Sequence, residues 1–179
     1  ESLPVKQVAY TGMDALTHAI EAYVSTLNSP FTDPLAIKAI EMVLDYLPQS
    51  YKCDMDAREQ MHYAQCLAGQ AFSNALLGIV HSMAHPLGAL YDTPHGVANA
   101  IILPTVMEYN APYTDEKYKD IAEAMGVDTT GMSQEEYRKA AVDAVKQLSK
   151  DVGIPADLKE IVKEEDLQFL SESALADAC

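Results

Sequence analysis

The chain is poor in basic residues. Only 12 Lys and Arg stand against 27 Asp and Glu in 179 residues, which gives a formal net charge of −15. A basic patch that could neutralise phosphates is therefore lacking, and this argues against nucleic-acid binding and against attraction to an anionic membrane surface. Long apolar runs that could cross a bilayer are lacking as well. The sequence therefore predicts neither a nucleic-acid nor a membrane partner.

Cysteine is also scarce. Cys53, Cys66 and Cys179 are widely spaced along the chain. They form neither a CxxC metal-binding pair nor the dense disulfide framework that is typical of small secreted domains. Reduced thiols are the simplest interpretation, and we therefore expect a cytoplasmic protein.

The alternating pattern of a half-buried β-strand is a third feature that the sequence lacks. Helix-favouring Ala, Leu, Met, Glu and Lys recur throughout, and hydrophobic residues make up 49% of the chain, which is enough for a real core. The sequence predicts an all-α, helical bundle-like fold of roughly seven to nine helices. We expect residues 1–179 to form a single domain.

Several helix boundaries follow from capping patterns. Thr11 is predicted to N-cap the first helix, and the second helix is predicted to stop before Pro48. Ser133 and Glu136 have the spacing of a capping box at the start of a later helix. The segment 156–163 is also predicted to be helical.

Asp14 and His18 are the first candidates for chemistry. Their spacing of four residues makes the two side chains neighbours on a helix, on the face away from the apolar stripe. A carboxylate oxygen and an imidazole nitrogen placed in this way can bind one metal ion. The alternative is a capping box formed by Thr11 and Asp14, with His18 as an ordinary surface residue.

Three of the five histidines lie in one stretch, GIVHSMAHPLGALYDTPHGVANA, at positions 81, 85 and 95. His95 is predicted in the first turn of a helix, whose positive end favours the neutral imidazole that binds metals. Gly96 allows a close approach of backbone, and Pro86 predicts a kink beside His85. For any one of these histidines, a hydrogen-bonded polar residue at a helix end is the alternative.

One carboxylate and three imidazoles would together form a mixed donor set. Such a set suits Fe²⁺ or Zn²⁺ better than Ca²⁺ or Mg²⁺, which prefer oxygen ligands. The candidate ligands are Asp14, His18, His81 and His95. If they are the only protein ligands, a position remains for a substrate oxygen, and the ion would act as a Lewis acid.

The stretches TGMDALTHAIEAYVS and HSMAHPLGALYDTPHG resemble the signature segments of the iron-containing (group III) alcohol dehydrogenases, and the similarity covers essentially the whole chain. The resemblance implies an enzyme that interconverts alcohols and aldehydes or ketones by metal-assisted hydride transfer with NAD or NADP. It implies that residues 1–179 are the helical metal-binding domain of a dehydroquinate synthase-like fold. A Rossmann-like N-terminal domain, absent from this sequence, would hold NAD(P), and the chain alone would be inactive.

The resemblance also implies roles for individual residues. The four candidate ligands match the family's metal ligands. His85 matches a histidine near the nicotinamide that is proposed to help proton movement. Phe72 and Cys179 match positions that line the substrate pocket in some members, although Phe72 also suits a plain core position. Without the partner domain an apolar cleft wall would be exposed, and we therefore expect the chain to self-associate as a homo-oligomer.

Other functions fit the same donor set. A helical metal-dependent hydrolase would use the ion to activate water, but it would need a second metal or a nearby general base. A non-catalytic metal-binding module would hold the ion in closed four-ligand coordination. Glycerol dehydrogenase-like enzymes, which use related folds, bind zinc with fewer protein ligands.

Overall fold

The computed structural model describes residues 2–177 and residue 179 of the chain. Within these residues the secondary structure is helical, with no strand, which confirms the predicted all-α fold. The α-helices are α1 (Val5–Val24), α2 (Thr32–Tyr51), α3 (Met55–Ala75), α4 (Ile79–Tyr91), α5 (His95–Asn110), α6 (Lys117–Ala124), α7 (Gln134–Asp151) and α8 (Leu167–Leu175). Short 3₁₀ helices cover Ala111–Tyr113 and Glu164–Asp166. Among the described helices, none combines the length and the apolar character that a membrane span requires.

Helix α1 lies at the centre of the part that carries the candidate ligands. It packs against α2, α3 and α5, and its apolar face, with Met13, Leu16 and Ile20, is fully buried. The first turn of α5 approaches α1 so closely that a Cβ atom at Gly96 would lie 2.1 Å from the carbonyl oxygen of Tyr10. The expectation of a close backbone approach at Gly96 is therefore correct, and the approach brings the start of α5 beside α1.

Two helix boundaries differ from the prediction. Helix α1 begins at Val5, so Thr11 lies inside it, and the Thr11 hydroxyl donates to the carbonyl of Gln7 at 2.8 Å. Helix α2 continues through Pro48 to Tyr51. In both places buried side chains, Val8 and Leu47, lie beside the predicted boundary. Packing of these side chains outweighs the local capping and proline signals.

The C-terminal third contains one confirmed and one wrong prediction. Ser133 and Glu136 form the predicted capping box at the start of α7. The segment 156–163 contains turns instead of the predicted helix. It follows Gly153, whose φ of 72° ends the preceding helix, and a segment this short has too few helical hydrogen bonds to offset the cost of helix nucleation.

Candidate metal centre

The four predicted ligands come from three helices and lie together. Asp14 and His18 lie on α1, His81 in the first turn of α4, and His95 at the first position of α5. The carboxylate of Asp14 is central, because its Oδ1 lies 3.7 Å from His81 Nε2 and 3.5 Å from His95 Nε2. Its Oδ2 lies 3.8 Å from His18 Nδ1.

These separations suit a metal ion. Bonds of 2.0–2.2 Å from a tetrahedral ion place its ligand atoms about 3.3–3.6 Å apart. The distances from the Asp14 carboxylate to the three rings, 3.5–3.8 Å, are close to that range. The ligand atoms of Asp14, His18 and His81 all lie within 4.8 Å of one another. Small side-chain adjustments would therefore let these three residues surround one ion. His95 is outside that group, but its Nε2 lies 3.5 Å from the Asp14 carboxylate.

Asn99 lies at the centre of the same cluster, one turn of α5 after His95. Its Nδ2 lies 2.6 Å from Asp14 Oδ1, 3.1 Å from His81 Nε2 and 3.0 Å from His95 Nε2. The side chain is fully buried, and its Oδ1 has no hydrogen-bond partner among the described residues. An amide nitrogen has two hydrogens for these three acceptors. Lone pairs that converge on one electropositive group form the kind of environment that binds a cation.

Glu21, like Asn99, is a residue of this cluster that the sequence analysis missed. It lies on α1 with only 4% of its surface exposed. Its Oε2 lies 2.5 Å from Nδ1 of His81, and its Oε1 accepts the backbone N–H of Val80 at 2.8 Å. The available signal was its spacing, because Glu21 follows Asp14 by seven residues and His18 by three and therefore lies on the same face of the helix as the predicted ligands.

The pKa values of the three candidate ligand histidines are shifted in different directions. Burial lowers the pKa of His18 to about 4, despite the attraction of Asp14, and burial also lowers the pKa of His95. Burial lowers the pKa of His81 as well, but hydrogen bonds and attraction from Asp14 and Glu21 outweigh it and raise that pKa to about 9. His18 and His95 are therefore neutral near pH 7, the form that binds metals. An ion at His81 would compete with a proton.

His85 lies one turn beyond His81, next to the cluster. Helix α4 continues through Pro86, so the proline does not end the helix there. The rings of His85 and His95 stack with centroids 5.6 Å apart, and His85 Nδ1 donates to Asp177 Oδ2 at 2.9 Å. Because its side chain is 42% exposed, His85 links the cluster to solvent.

Asp177 and Cys179 complete the surroundings of His85. Hydrogen bonds from His85 and Cys179 lower the pKa of Asp177 to about 2. Burial, together with Asp177, raises the pKa of the Cys179 thiol to about 11, so the thiol is neutral near pH 7. The Cys179 sulfur lies 4.0 Å from His85 Nδ1. Asp177 was missed because nothing in the local sequence pairs it with a histidine 92 positions earlier.

Phe72 is on the other side of His18 from His81. The Phe72 and His18 rings stack with centroids 4.5 Å apart, and those of His18 and His81 with centroids 4.4 Å apart. Phe72 also packs against the hydrophobic core. A cavity of about 600 Å³ is lined in part by Asp14, His18 and Phe72. Small molecules could therefore reach the cluster from this side.

Residues 8–179 match the family model described as Fe-containing alcohol dehydrogenase family, C-terminal. The chain belongs to the iron-containing alcohol dehydrogenase family. This confirms the resemblance seen in the two signature segments. The family's C-terminal domain is the helical one, in agreement with the observed fold.

Curated members of the iron-containing alcohol dehydrogenase family are similar over the whole chain. NADPH-dependent butanol dehydrogenase of Clostridium saccharobutylicum is 54% identical over 184 residues, which cover 100% of this chain and 47% of that protein. Lactaldehyde reductase of Escherichia coli K12 is 54% identical over 180 residues, with the same coverage of 100% and 47%. The chain thus spans about half the length of the curated relatives that it matches.

Solved structures of the family have the same fold in this region. The crystal structure of a 1,3-propanediol oxidoreductase superposes with a TM-score of 0.97 at 49% identity, over 99% of this chain and 47% of that one. An iron-containing alcohol dehydrogenase from Thermococcus thioreducens superposes with a TM-score of 0.83 at 39% identity, over 99% and 46% of the two chains. The arrangement of helices is therefore shared with enzymes that are twice as long.

Proposed function

We propose that Asp14, His18, His81 and His95 bind one divalent ion, Fe²⁺ or Zn²⁺, in an NAD(P)-dependent alcohol dehydrogenase. The complete enzyme would interconvert alcohols and aldehydes or ketones. The convergence of three ring nitrogens on the Asp14 carboxylate, at 3.5–3.8 Å, carries this proposal. The butanol dehydrogenase and the lactaldehyde reductase, by their names, act on small alcohols or aldehydes, which supports the same substrate class.

Three residues near the cluster have roles in this proposal beside the ligands. An ion bound there would supply Lewis-acid chemistry at an alcohol or carbonyl oxygen. His85 would carry the substrate proton toward solvent, since its ring stacks on that of His95 while its Nδ1 donates to Asp177. Phe72 and Cys179 would line the substrate pocket.

NAD(P) would bind mainly outside these residues. The chain spans about half of its relatives, it contains no Gly-rich phosphate-binding turn, and its net charge is −15. We propose that a Rossmann-like N-terminal domain holds the cofactor, with residues 1–179 as the metal-binding domain. A homo-oligomer and a cytoplasmic location stay predictions.

Two observations weigh against the rival functions. The relatives that the chain matches are, by their names, a dehydrogenase and a reductase, not hydrolases. A closed structural metal site would exclude small molecules, but the 600 Å³ cavity reaches Asp14 and His18.

Elemental analysis of the purified chain tests the metal assignment. The wild-type chain is expected to hold about one ion per molecule, and His81→Ala and His95→Ala are each expected to lose most of it, because each removes one of four ligands. His62→Ala is the control, since His62 is an exposed histidine on α3. Equal metal content in all four proteins would contradict the ligand set.

A further inference from the structure

Glu21 is a buried carboxylate that the proposed metal chemistry does not use. It projects from α1 to the start of α4 and has two specific partners there. Its Oε1 accepts the N–H of Val80, and its Oε2 lies 2.5 Å from His81 Nδ1. The carboxylate therefore connects the helix that carries Asp14 and His18 to the helix that carries His81.

Helix α4 has no capping side chain of its own. Its N-cap residue is Gly78, and the first N–H groups of a helix need acceptors from elsewhere. Glu21 supplies one of them from α1. The approach depends on the missing side chain at Gly78, because a Cβ atom there would lie 2.9 Å from Glu21 Oε1.

The same carboxylate decides which nitrogen of His81 is free. An ionised carboxylate can only accept hydrogen bonds, so Nδ1 of His81 must be the donor. A neutral imidazole has a single N–H, and Nε2 is therefore left with its lone pair. Nε2 is the atom that lies 3.7 Å from Asp14 Oδ1 and 3.1 Å from Asn99 Nδ2.

We propose that Glu21 is a positioning residue that holds the proton of His81 on Nδ1 and thereby presents Nε2 to the metal ion. The inference depends on the proposed metal centre and assigns a residue outside its ligand set. Residues that orient a ligating histidine in this way commonly change metal affinity about 10- to 100-fold when they are altered.

The variant Glu21→Gln distinguishes the positioning role from a purely structural cap. Glutamine keeps the length of the side chain but has one accepting oxygen and one donating NH₂ group. With the oxygen on the Val80 N–H, the cap is preserved, but the NH₂ group faces His81 Nδ1. That nitrogen must then accept, the ring proton moves to Nε2, and the lone pair that would bind the metal is lost.

Zn²⁺ binding to the full chain, measured by competition with a chelator, is the first measurement. Glu21→Gln is expected to weaken Zn²⁺ binding about 10- to 100-fold. Glu136→Gln is the matched control, because Glu136 also accepts a backbone N–H at a helix start, that of Ser133. It is expected to lower stability and leave Zn²⁺ affinity unchanged.

¹⁵N NMR of the imidazole nitrogens gives a readout that a structural cap would not change. The spectra are recorded on the metal-free chain as the pH is raised until the His81 nitrogen shifts stop changing, so that the ring is neutral. Wild-type His81 is expected to carry its proton on Nδ1, whereas His81 in Glu21→Gln is expected to carry it on Nε2.

Gly78→Ala tests the same contact with the carboxylate retained. The added methyl group would displace Glu21 from the start of α4, so Zn²⁺ affinity is expected to fall several-fold. Gly88→Ala is the control on the same helix, because the atom nearest to its Cβ, the Thr93 carbonyl oxygen at 3.7 Å, is at ordinary contact distance.

The outcomes separate this inference from the proposed function. Wild-type Zn²⁺ affinity and wild-type Nδ1 protonation in Glu21→Gln would overturn the positioning role and leave the metal centre intact. A wild-type chain that binds no Zn²⁺ would contradict the metal centre and this inference with it.

Discussion

At the scale of single residues, His85 and His95 have similar exposure but different surroundings. Side-chain exposure is 42% for His85 and 43% for His95. Nε2 of His95 faces Asp14 and Asn99, whereas Nδ1 of His85 donates to Asp177 at the edge of the cluster. These surroundings support the proposal that His95 binds the metal and that His85 moves the proton.

Replacing His85 by Asn tests whether His85 moves a proton or only makes a structural hydrogen bond. The Asn amide can donate to Asp177 as Nδ1–H does, but it cannot transfer a proton near pH 7. In the complete enzyme, kcat is expected to fall about 100- to 10,000-fold, with metal content unchanged. Steady-state kinetics across pH and elemental analysis measure the two effects. An unchanged kcat and pH profile would assign His85 a purely structural hydrogen bond.

At the scale of helices, α1 organises the site. It supplies Asp14 and His18, and through Glu21 it caps α4. Its Tyr10 carbonyl lies against the first turn of α5 at Gly96. The positions of His81 and His95 therefore both depend on how closely the two later helices approach α1.

Gly96→Ala is expected to separate α5 from α1. The new Cβ would lie 2.1 Å from a backbone oxygen, which cannot rotate away as a side chain could. Overpacking of this kind costs about 3 kcal/mol of unfolding free energy, and the shift of His95 should also weaken metal binding.

Denaturant unfolding measures this cost, with Gly69→Ala as the control. Gly69 lies inside α3, and a Cβ there would have no neighbour within 4 Å. Its replacement should leave stability equal or slightly higher, because alanine favours helix. Equal stability of Gly96→Ala and wild type would show that α5 is not held against α1 in this way.

At the scale of the whole molecule, the net charge and the length of the chain both indicate where the cofactor binds. A chain with a net charge of −15 repels a dinucleotide phosphate group. The regions that this chain does not match make up about half of each curated relative. We therefore expect the metal and the cofactor to be held by different parts of the complete enzyme.

Calorimetry with NADH tests this division. The chain alone is expected to bind NADH with a dissociation constant above about 1 mM. Residual binding should become stronger as salt is added, because salt screens the repulsion. Micromolar binding of NADH to the isolated chain would contradict the assignment of the cofactor to another domain.

The sequence alone determined the helical class, the capping box at Ser133 and the residue types that form the cluster. These features depend on local propensity, on spacing within a helix and on donor chemistry, all of which a short stretch contains. The two signature segments also identified the family, since they carry the candidate ligands at the spacing of its members.

Only the tertiary structure decided which other side chains surround those ligands. Glu21 meets a ring 60 positions later, Asn99 meets a carboxylate 85 positions earlier, and Asp177 meets a ring 92 positions earlier. Helix α2 continues through Pro48 to Tyr51, although the local signal predicts that the helix stops before the proline. Such features arise when whole helices pack together, because burial then decides which polar groups must find partners and which local preferences are overridden.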